Sequence, residues 1–141
     1  MLLVQKSVAH PWMCDVLGHM TTRFYLNMFD DASYHLLYGV FGWIGARDDK
    51  GTFGWADVRH TIDYVAEVNA GDVLETHGGI KKIGNKSITI QYEMMNLGEN
   101  EIAAKLECIC VLFDLKVRKA VPLTDELRAL AERHLIPAEE G

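Results

Sequence analysis

No stretch of this sequence holds the roughly 18 consecutive apolar residues that a bilayer-spanning helix needs. Gln5, Lys6 and His10 interrupt the N-terminal segment too early for the apolar core of a signal peptide, so a cytoplasmic location is expected. Basic residues are few, with 14 Lys and Arg against 20 Asp and Glu, a formal net charge of -6. That balance excludes the broad cationic face that a nucleic-acid binder presents to phosphates, and any polyanionic ligand must be met by a local cluster. There are three cysteines, Cys14, Cys108 and Cys110, with no CxxC pair and no histidines at ligand spacing. No metal site is expected from them, nor from His10, His19, Cys14 and Asp15, whose spacing matches no recurring site. Cys108 and Cys110 stand at i, i+2 and share one face of a strand, so buried free thiols are expected.

Prolines number three, and Pro11, Pro122 and Pro137 fall near the ends of candidate elements. Repeats, low-complexity tracts and Ser/Pro-rich linkers are lacking, which leaves residues 1–141 as one domain of ordinary single-core size. The 49% hydrophobic and 24% charged composition is that of a folded globular chain.

What is present is a change of period along the chain. Residues 2–10 form a first strand, ended by Pro11. Thr21 or Thr22 caps a long amphipathic helix that runs to about Gly39, with Tyr25, Met28, Phe29, Ala32, Leu36 and Gly39 along one face. After a glycine-rich stretch through Gly54, alternation from Ala56 to Val68 predicts a long strand with Val58, His60, Ile62 and Tyr64 on one face and Asp57, Arg59, Thr61 and Asp63 on the other. Further strands are predicted at 73–83, 86–95 and 102–112, the first two joined by a tight turn at Gly84-Asn85. A last helix spans about 124–136, capped by Thr124. This order predicts an α+β domain in which one long helix covers an antiparallel sheet of five to six strands.

Reactive side chains concentrate between Trp12 and Tyr25. Asp15, in a loop leading into a helix start, can act as base or nucleophile while free amides near Thr22 polarise a carbonyl oxygen, a geometry suited to acyl transfer. The same residues also read as turn chemistry, with Asp15 capping a turn, His19 packed on the helix and Gly18 marking a tight loop. Lys81, Lys82 and Lys86 cluster around a strand turn and could meet phosphates, as could Arg118 and Lys119, although such groups also arise on any solvated face.

Asp15-Val-Leu-Gly-His-Met followed by Phe24-Tyr25 and Ala32 resembles the D-x-x-G-H-[VM]-x-x-x-x-Y signature of hotdog thioesterases of the 4-hydroxybenzoyl-CoA thioesterase type. Ile62-Asp63-Tyr64 with Gly71-Asp72, and Asn85-Lys86-Ser87, resemble that family's second and third landmarks. The resemblance implies a hotdog fold, self-association as a homodimer or a dimer of dimers (homotetramer), and hydrolysis of an acyl-coenzyme A. Coenzyme A is then part of the substrate, and no separate cofactor is implied. Asp15 becomes the catalytic carboxylate, the amide near Thr22 the oxyanion donor, and His19 a positioning residue. Trp12, Tyr25, Lys81, Lys82, Lys86 and Ser87 become substrate-binding residues. Where relatives carry two asparagines after the His-Val pair, this chain has Thr21-Thr22. The spelling from Trp12 to Leu26 is also similar to betainyl-CoA thioesterases, in which Trp12, Trp43 and Trp55 would box a quaternary ammonium group. Two other readings share the fold, a hydratase or dehydratase of acyl chains and a non-catalytic acyl-CoA binding domain.

Overall fold

The computed structural model describes residues 1–45 and 52–138, so most of the glycine-rich stretch ahead of Gly54 lies outside the described residues. Strands β1 (Leu2–Val8), β2 (Phe53–Tyr64), β3 (Val73–Ile83), β4 (Ser87–Asn96), β5 (Glu101–Asp114) and β6 (Lys119–Ala120) accompany helices α1 (Thr22–Phe41) and α2 (Asp125–Glu132). The sheet order is β1-β3-β4-β5-β2, with β6 pairing β5. Short links join β3 to β4 and β4 to β5, and strands joined so closely run antiparallel. This is the α+β hotdog arrangement expected from the sequence. Among the described residues no helix is long and apolar enough to cross a membrane. The residues divide into two compact units, Met1–Leu36 with Ile62–Gly78 and Tyr92–Leu106, and Leu37–Thr61 with Gly79–Gln91 and Glu107–Gly141.

In the first unit, Tyr25, Met28, Phe29, Ala32 and Leu36 are buried along α1, as the periodicity predicts. Phe29 packs at a tilt on Tyr92 of β4, with ring centroids 6.2 Å apart. The helix approaches β3 closely because position 78 has no side chain. A Cβ on Gly78 would sit 2.7 Å from Leu36 Cδ1 and 2.9 Å from Tyr92 Cδ1, both in fully buried side chains. β1 pairs antiparallel with β3, from Leu2 opposite Gly78 to Val8 opposite Val73.

In the second unit the helix runs two residues past Gly39, which is exposed, and the buried stripe continues through Leu37 and Val40. The stop is Gly42, whose φ of 66° is the left-handed conformation a C-cap glycine supplies, and its amide donates to Tyr38 O at 2.8 Å. β2 keeps no alternation between Asp57 and Thr61, where every residue is exposed. β2 is an outer strand of the sheet, and among the described residues no strand flanks its other side. Thr124 caps α2 by accepting from the Leu127 amide at 3.1 Å, and Asp125 and Glu126 occupy the first turn, where the helix dipole favours acids. α2 ends four residues earlier than expected, because 134–136 pair with Ile80 instead: Ile80 N donates to His134 O and Ile136 N to Ile80 O. Cys108 and Cys110 are buried and free as expected, whereas Cys14 is only half-buried. The Cys108 thiol is pushed far above its usual range by its hydrogen bond with Cys110, by burial and by the Asp57 carboxylate.

Candidate active site

Pro11 opens a short 3-10 helix, Pro11–Met13, that turns the chain out of β1. Cys14 and Met20 then bridge antiparallel, and Asp15 N donates to His19 O at 2.9 Å, so 15–19 form a closed loop. Asp15 Oδ1 organises it, accepting from Leu17 N at 2.8 Å and His19 N at 3.2 Å. Gly18, with φ at 80°, supplies the left-handed turn that makes this possible. Both amide bonds fall on Oδ1. Among the described residues Asp15 Oδ2 accepts nothing, and the carboxylate is exposed. Asp15 is therefore a loop cap through one oxygen and open to chemistry through the other.

The loop is docked on the segment after β2. Met20 N donates to Val68 O at 2.8 Å, Ala70 N to Gly18 O at 3.1 Å, and His19 bridges Asn69. The expected strand through Val68 stops at Tyr64 because Val65 N and Ala66 N both turn onto Ala103 O, which frees the next residues to hold the loop. Behind them Asp72 Oδ2 accepts from Asn69 N at 2.8 Å and from the buried Asn96 Nδ2 at 2.9 Å.

α1 starts at Thr22, which is exposed. Thr21 stands in the capping position, yet its hydroxyl donates to Met13 O at 3.3 Å and so ties the helix start to the 3-10 turn. The opening amides of a helix have no carbonyl one turn back to donate to, and those of α1 follow the Asp15 loop directly. His19 Nε2 lies 3.2 Å from Glu67 Oε2, which orients the ring. Trp12 is exposed, stacked on His10 at 6.1 Å and edge-on to Phe24 at 5.5 Å. Tyr25 is buried against Tyr64, and its hydroxyl donates to Ala66 O at 3.4 Å, so it supports the docking segment. The structure thus brings Asp15, His19 and the start of α1 into one compact set.

The expected phosphate-binding residues belong to the second unit. Lys82 and Lys86 are exposed on either side of the Gly84-Asn85 turn, and Lys81 is paired with Glu107 at 2.6 Å. Gly84 N donates to Ser87 O at 2.7 Å, so Ser87 closes the turn. Arg128 of α2 braces it from outside by donating to Gly84 O at 3.0 Å. A cavity of about 380 Å³ is lined by Lys81, Gln91, Ile136, Pro137 and Ala138. Arg118, in a left-handed conformation, covers the Phe113 ring at 5.3 Å. Trp55 stacks on Phe41 at 4.8 Å. Sequence reasoning missed the bracing roles of Glu67, Asp72 and Arg128, since each acts across a long span of chain. It also missed a cluster of Asp57, His60 and Cys108.

The thioesterase-like superfamily profile matches residues 9–130. No curated protein matches the sequence closely enough to count as a relative. Among solved structures the chain is similar to YbaW of Escherichia coli, described as a probable thioesterase, at 20% identity and TM-score 0.79, covering 96% of this chain and 100% of that one. It is similar to the Staphylococcus aureus protein SAV2348, solved with CoA, at 12% identity and TM-score 0.84, covering 99% and 90%. A third is the 1,4-dihydroxy-2-naphthoyl-CoA thioesterase Slr0204 of Synechocystis, at 19% identity and TM-score 0.77, covering 92% and 94%. At these identities the likeness is one of fold.

Burial raises the Tyr25 hydroxyl above its ordinary 10.0, against the smaller lowering effect of a backbone hydrogen bond at Val68. As pH rises past the unfolded value the unfolded chain releases this proton while the folded chain keeps it, so stability falls on the alkaline side. Tyr25→Phe is expected to flatten that loss, read as denaturation midpoint against pH above 9 to 11 or so, at a cost near neutrality of about 1 kcal/mol for the lost hydrogen bond.

Proposed function

Since the chain belongs to the thioesterase-like superfamily, we propose that it hydrolyses the thioester of a short acyl-coenzyme A, with Asp15 as the catalytic carboxylate. The observation that carries this reading is the division of labour within Asp15, where Oδ1 holds the loop and exposed Oδ2 has no partner among the described residues. Oδ2 either takes a proton from the attacking water or attacks the thioester carbon itself. The developing oxyanion is met by the amide at Thr22, where the α1 dipole is also favourable. On the base branch Asp15 passes the proton taken from water to the sulfur as the sulfur–carbon bond breaks, and coenzyme A leaves as the thiol. On the nucleophile branch the thiolate leaves an acyl-Asp15 anhydride, which a water molecule hydrolyses to the free carboxylates, one of its protons going to the sulfur and the other to solvent. His19, held by Glu67, positions the loop, and Trp12 offers an exposed aromatic face beside it. Betainyl-CoA belongs in the substrate screen because that face suits a cation.

Asp15→Asn keeps an acceptor oxygen for Leu17 and His19, so the loop and the thermal midpoint are expected to persist. Loss of the basic oxygen is expected to lower kcat by roughly 100-fold to 10,000-fold on the best substrate in a thiol-release screen. His19→Ala is expected to cost less. Wild-type turnover in Asp15→Asn would leave Asp15 as a loop cap only, and coenzyme A binding without any turnover would favour a non-catalytic acyl-CoA binding domain.

Lys81, Lys82, Lys86 and Ser87 are assigned to the coenzyme A phosphates. Lys82 and Lys86 are exposed on a braced turn, and Lys81 borders a cavity within the size range of small-ligand sites. Changing the three lysines together to Ala is expected to raise KM roughly tenfold or more with kcat little changed, because the contacts are remote from the thioester and act alike in ground and transition states. An unchanged KM would place the nucleotide elsewhere.

The protein is further proposed to act as a homodimer or a dimer of dimers. β2 pairs β5 on one side only among the described residues, and this 12-residue edge carries exposed Val58 and Tyr64. Sedimentation at micromolar concentration is expected to show no monomer; a monomeric boundary would refute the assembly while leaving the Asp15 assignment standing.

A further inference from the structure

We propose that Asp57, His60 and Cys108 form a binding site for a borderline-soft divalent cation, for which zinc is the best match. β2 supplies Asp57 and His60, β5 supplies Cys108, and these strands are neighbours in the sheet. The three ligand atoms all lie within 4.8 Å of one another. His60 Nε2 is 3.2 Å from Asp57 Oδ2, and Cys108 Sγ is 3.4 Å from Asp57 Oδ1. Zinc bonds of about 2.0 Å to nitrogen and oxygen and about 2.3 Å to sulfur, at tetrahedral angles, set N and O roughly 3.3 Å apart and S and O roughly 3.5 Å apart. The two contacts use different Asp57 oxygens, so with either oxygen as ligand one of the three pairs stands at coordination spacing and the other two need to close by roughly 1.3 to 1.5 Å at most.

The donor types decide which ion fits. A thiolate with an imidazole favours zinc over magnesium or calcium, which prefer sets of oxygen ligands. Three protein ligands leave a fourth position for water. Access comes from the solvent side, since the His60 and Asp57 side chains are 29% and 36% exposed while Cys108 forms the buried wall. In the metal-free chain the same atoms form hydrogen bonds, with the Cys108 thiol donating to Asp57. Binding replaces that proton, which passes to solvent, and the cation is balanced by one thiolate and one carboxylate beside a neutral imidazole, so no net charge is left at the half-buried site.

The site is independent of the thioesterase reading, and its test does not use turnover. Cobalt(II) titrated into the reduced full chain is expected to give one equivalent bound, with a near-ultraviolet thiolate-to-cobalt charge-transfer band that zinc abolishes by displacement. Cys108→Ser is expected to lose the band. His60→Ala, at an exposed position that tolerates truncation, is expected to weaken zinc by more than roughly tenfold in competition with a chromogenic chelator, a loss that even outer-sphere partners of a metal can cause. Cys14→Ser and Asp15→Asn are expected to keep both properties. The proposal is overturned if the wild-type chain shows no thiolate band, if the band survives in Cys108→Ser, or if His60→Ala binds zinc as tightly as the wild type.

Discussion

The Asp72 carboxylate is the joint on which the candidate active site hangs. Its Oδ2 accepts from Asn69 N and from the buried Asn96 side chain, so one anionic oxygen fastens the turn after β2 to the end of β4. The backbone at the same place closes on the end of β1, since Ala9 N donates to Asp72 O at 3.0 Å and Gly71 N to Ala9 O at 2.7 Å. From this turn Val68 O and Ala70 N reach the Asp15 loop. Hydrogen bonds to a charged acceptor are stronger than neutral ones, and Asn96 is buried, so loss of the carboxylate would strand a desolvated amide as well as release the turn. A loop carrying an exposed carboxylate needs such an anchor, because its own side chains, Val16 and Leu17, are exposed and contribute little packing.

Within that anchored frame Asp15 holds the loop through one oxygen and, in the proposed reading, supplies the chemistry through the other. An aspartate whose two oxygens were both tied to amides would be a good cap with neither oxygen free to face a substrate. Placing both amides on Oδ1 leaves Oδ2 open while fixing its direction. Gly18 is the enabling element, because the left-handed backbone there lets the His19 amide turn back toward Asp15. The motif Asp-x-x-Gly-His thus has a mechanical content beyond resemblance, in that the spacing closes a loop around the carboxylate.

That content explains why the fold and the Asp15 loop were legible in the sequence while other parts were not. The buried stripe of α1, the β3 boundaries, the Gly84-Asn85 turn and the Thr124 cap follow from local periodicity and turn chemistry. The stop of α1 was misplaced because Gly39 and Gly42 are alike in sequence, and only the left-handed backbone at Gly42 separates them. The alternation carries β2 four residues past its end at Tyr64, because it continues through a segment whose amides leave the ladder at Ala103 O. Asp57 and His60 were assigned to opposite faces by strict alternation, yet their side chains meet at 3.2 Å. Strict alternation assigns faces from the pleat alone, whereas a contact between i and i+3 depends on how the Asp57 and His60 side chains bend at an exposed edge.

β2 carries a conflict that the interior strands β3, β4 and β5 do not face. An unpaired 12-residue edge is a template for adding further strands, and exposed Val58 and Tyr64 make it an adhesive one. Asp57, Arg59, His60 and Asp63 interrupt that surface, so a strand laid against the edge must accommodate both signs of charge, which an arbitrary apolar segment would not. Asp57 is also drawn inward to Cys108, which binds the edge to β5 through a side chain in addition to the ladder. Holding the edge strand in one conformation lowers the entropy that any specific partner has to overcome, and the charges raise the cost for unspecific ones. The features that limit aggregation of this edge are therefore the same ones that would make its pairing selective.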